Sequence, residues 1–388
     1  MDKRHKVIIL KTTYNCNMRC IYCYHEESGY INKSMTPELL HRLVDLIIAD
    51  GYRSVTYIFH GGEPLLLGID FYNDVLNYIR NRHLEAGTSW KINIQSNLTL
   101  LNEDYIKLFH EFGMKVGFSF DGLTNEKTRG YTDLILEKLK LAIDYREQGM
   151  DIMGGCILML NRYNYENIVN EIRYLDSLGL KILNVHLCFD QGAAHKMGQS
   201  ILLTGDEMFE AYKNLFEYWL FNPGGINVAN TERFVKMVLL KETFLCENTI
   251  CNGKWIGVNP QGDVYMCGRW YDPKYSYGNI FKDDSISKMH FTPVFQEMLK
   301  QSNERRMKCM KDCEIFNLCR GGCDLIHLLY GSMTDVSERN IICQFTRKFL
   351  PYVTSRLKEL SGSDSKYMVN TYKRFRRRDN NETDTYYL

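Results

Sequence analysis

Six short runs rich in β-branched and aromatic residues, each followed by a segment of helical character, occupy the first half of this 388-residue chain. They lie at residues 7–11, 54–59, 90–95, 115–120, 151–160 and 181–187. Strands alternating with helices make a parallel sheet with right-handed crossovers, open or curled into a barrel, so the fold class is α/β. Helix starts are well formed: in Thr36-Pro37-Glu38 a hydroxyl caps, proline fits the first turn and a carboxylate meets the positive helix end. The residues that follow the strands are chemically unusual. Cys16 follows the first, Gly61-Gly62-Glu63-Pro64 the second, Gln95-Ser96-Asn97 the third and Ser119-Phe120-Asp121-Gly122 the fourth. In a parallel barrel such carboxyl ends share one mouth.

Residues 205–245 read as a helix-rich connection, broken at Asn222-Pro223-Gly224-Gly225. Past Cys246 the periodicity weakens, short strands around Gly262 suggest a hairpin, and eight of the 13 cysteines fall between Cys246 and Cys343. This is the pattern of a small domain whose core is supplemented by metal. The chain therefore divides into residues 1–205, a helical connector at 206–245, a cysteine-rich domain at 246–350, and a helix end with a polar tail at 351–388. The tail carries Lys373-Arg374-Phe375-Arg376-Arg377-Arg378 and is expected to be solvated.

No stretch has the length or flanks of a secretory signal or a membrane span, so a cytoplasmic location is expected. In a reducing compartment 13 cysteines point to metal or thiol chemistry rather than disulfides. A net charge of +1, from 48 basic and 47 acidic residues, argues against a surface built to coat nucleic acid or adhere to membranes. Cys16-Asn-Met-Arg-Cys20-Ile-Tyr-Cys23 places three thiols within eight residues on one loop. Structural zinc takes four closed ligands and redox pairs two thiols, whereas three thiolates on a four-iron cluster leave one iron open.

With its aromatic Tyr22 before the last cysteine, this CxxxCxxC segment resembles the signature of the radical S-adenosylmethionine (SAM) superfamily. The resemblance implies a partial (β/α)6 TIM-like barrel in which Cys16, Cys20 and Cys23 hold a [4Fe-4S] cluster. Its open iron would chelate SAM, whose cleavage yields a 5'-deoxyadenosyl radical that abstracts hydrogen from substrate. Gly61, Gly62, Glu63 and Pro64 resemble the family's GGEP stretch, whose carboxylate or carbonyls receive the methionyl ammonium. Asn97 and Ser119 resemble positions holding the nucleoside, and Arg129 the arginine paired with the SAM carboxylate. Residues 121–129 are shorter than the usual family version and lack its proline and histidine. His60, just before the glycines, is a further candidate for substrate contact.

Cys251, ten residues, Gly262, four residues and Cys267 resemble the opening of the SPASM domain, a cysteine-rich iron-sulfur extension of some radical SAM enzymes. Next come Cys309, Cys313, Cys319, Cys323 and Cys343, with three residues in the first gap where the family usually shows two. Carried over, Cys246, Cys251, Cys267 and Cys323 would hold one auxiliary [4Fe-4S] cluster, and Cys309, Cys313, Cys319 and Cys343 a second. Zinc is the other occupant that suits CxxxC pairs. Cys156 and Cys188, in strand-like runs, read as buried thiols. Asp190, Glu232 and Tyr271 read as structural polar residues near the cavity.

The resembling enzymes mostly modify peptides or proteins, and the resemblance spans residues 6–349. It implies an oxidoreductase with a precursor-peptide substrate and a flavodoxin or ferredoxin-like reductant. In sulfatase maturases an aspartate acting as base follows the cysteine of the Gly-x4-Cys element, whereas Gly268 follows Cys267 here. The expected activity is therefore a carbon-carbon or thioether cross-link on a ribosomal peptide. Sulfatase-type protein oxidation and a small-molecule dehydrogenase are the alternatives. With strand one beginning at Val7, no N-terminal winged module is expected.

Overall fold

The computed structural model describes residues 5–27, 32–222, 224–242, 245–248, 251 and 253–363. The six expected strands form as β1 (His5–Thr13), β2 (Ser54–Gly61), β3 (Ser89–Ser96), β4 (Lys115–Ser119), β5 (Met153–Leu160) and β6 (Ile182–Leu187). Each pairs in parallel with the next. Their side chains are apolar on both faces, as in Val7, Ile8 and Leu10 of β1, all fully buried, because helices cover one side and the barrel interior the other. The architecture is a partial parallel barrel followed by a cysteine-rich region.

The covering helices begin as the local chemistry dictates. Thr36 caps the helix Pro37–Ala49 by accepting from Leu39 N at 3.4 Å, with proline in its first turn. Thr204 and Glu207 form a reciprocal capping box at the start of Gly205–Phe221, which ends where the 222–225 break predicts. Between this helix and Ala229–Leu240, the chain adds a two-residue strand, β7 (Asn227–Val228), to the edge of β6.

The hairpin around Gly262 forms from β8 (Trp255–Val258) and β9 (Asp263–Tyr265), with β10 (Gly278–Asn279) beside β9. It does not stand apart. β8 pairs in parallel with β1, Val7 opposite Trp255 through Leu10 opposite Val258, giving one ten-stranded sheet ordered β10-β9-β8-β1-β2-β3-β4-β5-β6-β7. The open edge of β1 is thereby covered. Among the described residues no helix is long and apolar enough to cross a membrane. The basic run at 373–378 lies outside the described residues.

The last of the described helices, Ile341–Ser363, packs on the helices Gly205–Phe221 and Ala229–Leu240 through an aromatic layer. Ring centroids lie 4.8 Å apart for Tyr212 and Phe345, 4.9 Å for Phe234 and Phe349, and 5.2 Å for Phe345 and Phe349. Phe349 is fully buried, so truncating it leaves a cavity at the centre of this layer. Phe349→Ala is expected to lower unfolding free energy by about 3–5 kcal/mol, read as a fall in the urea midpoint with an unchanged slope.

Candidate active site

The first three thiols hang on the loop that leaves β1, and this loop is clasped by the end of β2. Gly62 N donates to Thr13 O at 2.7 Å and Glu63 N to Asn15 O at 2.8 Å. The approach is close enough to require glycine twice. A Cβ on Gly61 would lie 2.4 Å from Thr13 O, and one on Gly62 2.0 Å from Asn15 O. Gly61 also has a φ of +130°, in the region that glycine alone adopts without strain.

Glu63 turns inward. Its carboxylate accepts from Asn97 N at 2.7 Å, Ser96 Oγ at 2.9 Å and Leu65 N at 3.0 Å, so it locks the ends of β2 and β3 together. Burial pushes its pKa up, opposed by those hydrogen bonds. Gly61 and Gly62 line the central cavity, but the side chains of Glu63 and Pro64 do not. Asn97 lines it too, donating through Nδ2 to Asn17 Oδ1 at 2.9 Å and accepting from Thr99. Ser119 accepts from Gln95 Nε2 at 2.9 Å, while Gln95 Oε1 is buried without a partner.

A second clasp joins the cysteine loop to residues 121–129. Ile21 N donates to Thr128 O at 3.0 Å. Tyr22, the aromatic before the last cysteine, donates its hydroxyl to Asp121 Oδ2 at 2.6 Å and accepts from Arg129 Nη1 at 2.9 Å. Asp121 also accepts from Thr128 Oγ1 at 2.7 Å and Met159 N at 2.9 Å, which makes it a hub rather than a turn cap. Arg129 reaches the cavity with its Nε buried and unpartnered, a donor available to an anion.

One cavity of about 1190 Å³ gathers these pieces. Cys16, Cys20 and Cys23 line it together with Gly61, Gly62, Asn97, Ser119 and Arg129, and Cys246, Cys251, Cys267 and Cys323 line it as well. The eight later thiols fall into two groups. Cys251 hydrogen-bonds Cys246 and feels Cys323 and Cys267 electrostatically, whereas Cys343 feels Cys319, Cys313 and Cys309. Each group has four members, and Cys309, despite its three-residue gap, falls in the second. Asn248 Nδ2 reaches Cys319 Sγ at 3.3 Å. Cys156 and Cys188 are buried, the latter against the cavity.

Several residues in the cavity wall or beside it carry no sequence motif. Lys11, a charged residue inside β1, donates to Trp270 O at 3.3 Å and sits over the Tyr24 and Tyr271 rings. His186 projects from β6, and burial holds its imidazole neutral with a pKa of about 3. His60 lines the cavity with Nδ1 accepting from Gly61 N at 2.7 Å. Glu232 accepts from Asn227 Nδ2 at 2.9 Å and pairs with Lys236 at 3.2 Å. Asp190 binds His195 Nδ1 at 2.8 Å. A polar or charged residue at an inward strand position, as at Lys11 and His186, was the one signal available for such groups.

Residues 10–183 match the model of the radical SAM superfamily, and residues 246–314 match SPASM, an iron-sulfur cluster-binding domain. The chain thus carries a radical SAM domain followed by a SPASM domain. It resembles the cysteine-type anaerobic sulfatase-maturating enzyme of Clostridium perfringens, 26% identical over 366 residues that cover 90% of this chain and 96% of the relative. Native anSMEcpe with bound AdoMet and Cp18Cys peptide superposes with a TM-score of 0.78 at 22% identity, covering 92% and 99% of the two chains. Streptococcus suis SuiB bound to precursor peptide SuiA superposes at 0.63 and 14% identity, covering 87% and 76%. These likenesses establish the fold.

The two matched domains imply iron-sulfur clusters and SAM, and the donor chemistry of this radical SAM enzyme fits them. The first loop brings three thiols to the cavity, beside the unpartnered donor of Arg129 and acceptor of Gln95. Among the described residues no group of three or more His, Cys, Asp and Glu is arranged to hold one metal ion. Burial pushes their pKa values up, Cys23 to about 11, so loading a metal group releases protons.

Glu171 supports the 121–129 segment from below, accepting from Leu123 N at 2.6 Å. Burial raises its pKa from 4.5 to about 7. Between those values the folded chain keeps a proton that the unfolded chain has released, so this group's contribution to stability falls as pH rises across the window. Glu171→Gln should remove that dependence. The difference in Tm between variant and wild type should widen with pH through this range, and a constant difference would contradict the assignment.

Proposed function

We propose that this enzyme is a radical SAM/SPASM maturase that oxidises a precursor peptide, forming a carbon-carbon or thioether cross-link. The observation that carries the reading is the single cavity shared by the three-thiol loop, the SAM-type strand ends and the first SPASM quartet. Its volume, about 1190 Å³, exceeds the usual range for one small ligand, leaving room for a peptide segment beside a cofactor. The peptides named in the anSMEcpe and SuiB structures support a peptide substrate.

In this reading Cys16, Cys20 and Cys23 hold the first cluster, Cys246, Cys251, Cys267 and Cys323 an auxiliary cluster, and Cys309, Cys313, Cys319 and Cys343 another. Bound there, the first cluster and SAM would supply the 5'-deoxyadenosyl radical for hydrogen-atom abstraction from the substrate, and the auxiliaries would accept an electron. The chain's own residues position and shield. Arg129 Nε pairs with the SAM carboxylate, and the backbone at Gly61 and Gly62 meets the methionyl end, with Glu63 and Pro64 shaping that backbone from behind. Asn97 and Ser119, with Gln95, hold the ribose hydroxyls. Electrons reach the site from a flavodoxin or ferredoxin-like protein.

Gly268 separates this site from a sulfatase-type one. A Cβ there would lie 2.5 Å from Ile9 Cγ2, so the packing of β1 against this loop reserves the position for glycine. A carboxylate side chain after Cys267 would have to displace the Ile9 side chain. The relatives' names favour a second reading, oxidation of a cysteine or serine in a sulfatase, and substrate assays decide between them. Incubation with the cognate precursor should remove two hydrogens, about 2 Da, and leave new cross-linked fragments. Conversion of a sulfatase-derived cysteine or serine peptide, with the precursor untouched, would favour the second reading.

Cluster content is a separate check. Anaerobically reconstituted wild type should hold about twelve irons per chain, falling to about eight in the Cys16, Cys20 and Cys23 triple-alanine variant, with SAM cleavage lost. Arg129→Ala should weaken SAM binding by about tenfold or more without loss of iron, read by equilibrium dialysis.

A further inference from the structure

Two adjacent arginines on the helix Pro293–Asp312 have opposite surroundings. Arg305 is fully buried and saturated: it donates to Gly321 O, Gly322 O and Met333 O at 3.2, 3.3 and 2.8 Å, and to Asp324 Oδ1 at 2.6 Å. It braces the loop that leads into Cys323. Arg306 is 7% exposed, and none of its three guanidinium nitrogens has a hydrogen-bond partner. Asp324 Oδ1 lies 3.6 Å away, beyond hydrogen-bond reach and already engaged by Arg305 and Ser302.

A buried guanidinium with all its donors unspent is costly and points to an anionic partner. The thiols it feels are Cys251 and Cys323 of the first quartet, and Cys309, one helical turn along, feels it in return. Its stem is held against Gly321, where a Cβ would come within 2.9 Å of Arg306 Cγ. Gly321, at a φ of +88°, therefore provides both the turn and the room.

We propose that Arg306 is a positioning residue for electron transfer, donating N–H groups to the sulfur of the cluster held by Cys246, Cys251, Cys267 and Cys323 and stabilising its reduced state. The inference rests on the reading that this quartet holds a cluster. Accepting one electron makes the cluster more negative by one charge, with no bond broken and no proton moved. A fixed cation in a low-dielectric setting favours that state, and hydrogen bonds to cluster sulfur act in the same direction. In the proposed reaction the electron comes from the substrate radical as the new bond forms, and the C–H or S–H group being joined releases its proton to solvent.

The test is a redox titration by electron paramagnetic resonance, with dithionite and dye mediators, on full-length protein lacking the first cluster through the Cys16, Cys20 and Cys23 triple-alanine change. Arg306→Gln should shift one of the two remaining signals to lower potential, by at least tenfold in the one-electron reduction equilibrium, about 59 mV. Arg306→Lys, which keeps the charge and loses the fork, should shift the same signal by less. Full iron content with unmoved potentials in Arg306→Gln overturns the proposal. If that variant loses iron, Arg306→Lys decides: a lowered potential supports the role and an unchanged one overturns it. Failure of the underlying reading looks different, because removing Cys246 and Cys251 would then leave iron content unaltered.

Discussion

Everything in this molecule is hung on β1. Its carboxyl end launches the loop with the first three thiols, its inner edge pairs with β2, and its outer edge pairs in parallel with β8. A strand with neighbours on both sides cannot slide without breaking two ladders. The loop after it is therefore held in register with the glycines after β2 and with the hairpin leading to Cys267. Ile9 packs against Gly268, and Lys11 reaches Trp270 O, so the same strand spaces the two cysteine regions across the cavity.

That arrangement explains which polar residues do which work. Glu63 and Asp121 are buried carboxylates that receive several donors each and fix the loops. Arg129 and Gln95 keep one polar atom unspent beside the cavity, and Arg306 keeps three beside the auxiliary thiols. Satisfied groups build the frame. Unsatisfied groups mark where charge or hydrogen bonds must come from something that binds.

Much of this was legible from the chain. Alternating β-branched runs gave all six parallel strands, and Thr36-Pro37-Glu38 marked a true helix start. Thiol spacing gave the loop of three, whereas the division of the remaining eight came only from the family resemblance. The parallel pairing of β1 with β8 was not legible, because it joins residues some 248 positions apart, as Val7 and Trp255 are, and periodicity reports only local pattern. For the same reason the roles of Gly61 and Gly62 were half visible. Their motif suggested a cofactor, while the closest atoms they accommodate are Thr13 O and Asn15 O. Glu63 carried the motif's charge but turned inward, because the backbone donors at Asn97 and Leu65 lie there. Arg306 had no motif at all.

Cys343 stands in the first turn of the closing helix Ile341–Ser363, two residues before Phe345 in the aromatic layer. The fourth thiol of the second quartet and the hydrophobic seam that fastens this helix to the barrel's flank are thus one piece of chain. During synthesis the other three thiols leave the ribosome first and wait for it. Completion of that quartet and sealing of the fold become a single late event, so a nascent chain truncated before this helix would present an open, oxygen-sensitive set of cysteines to the cell.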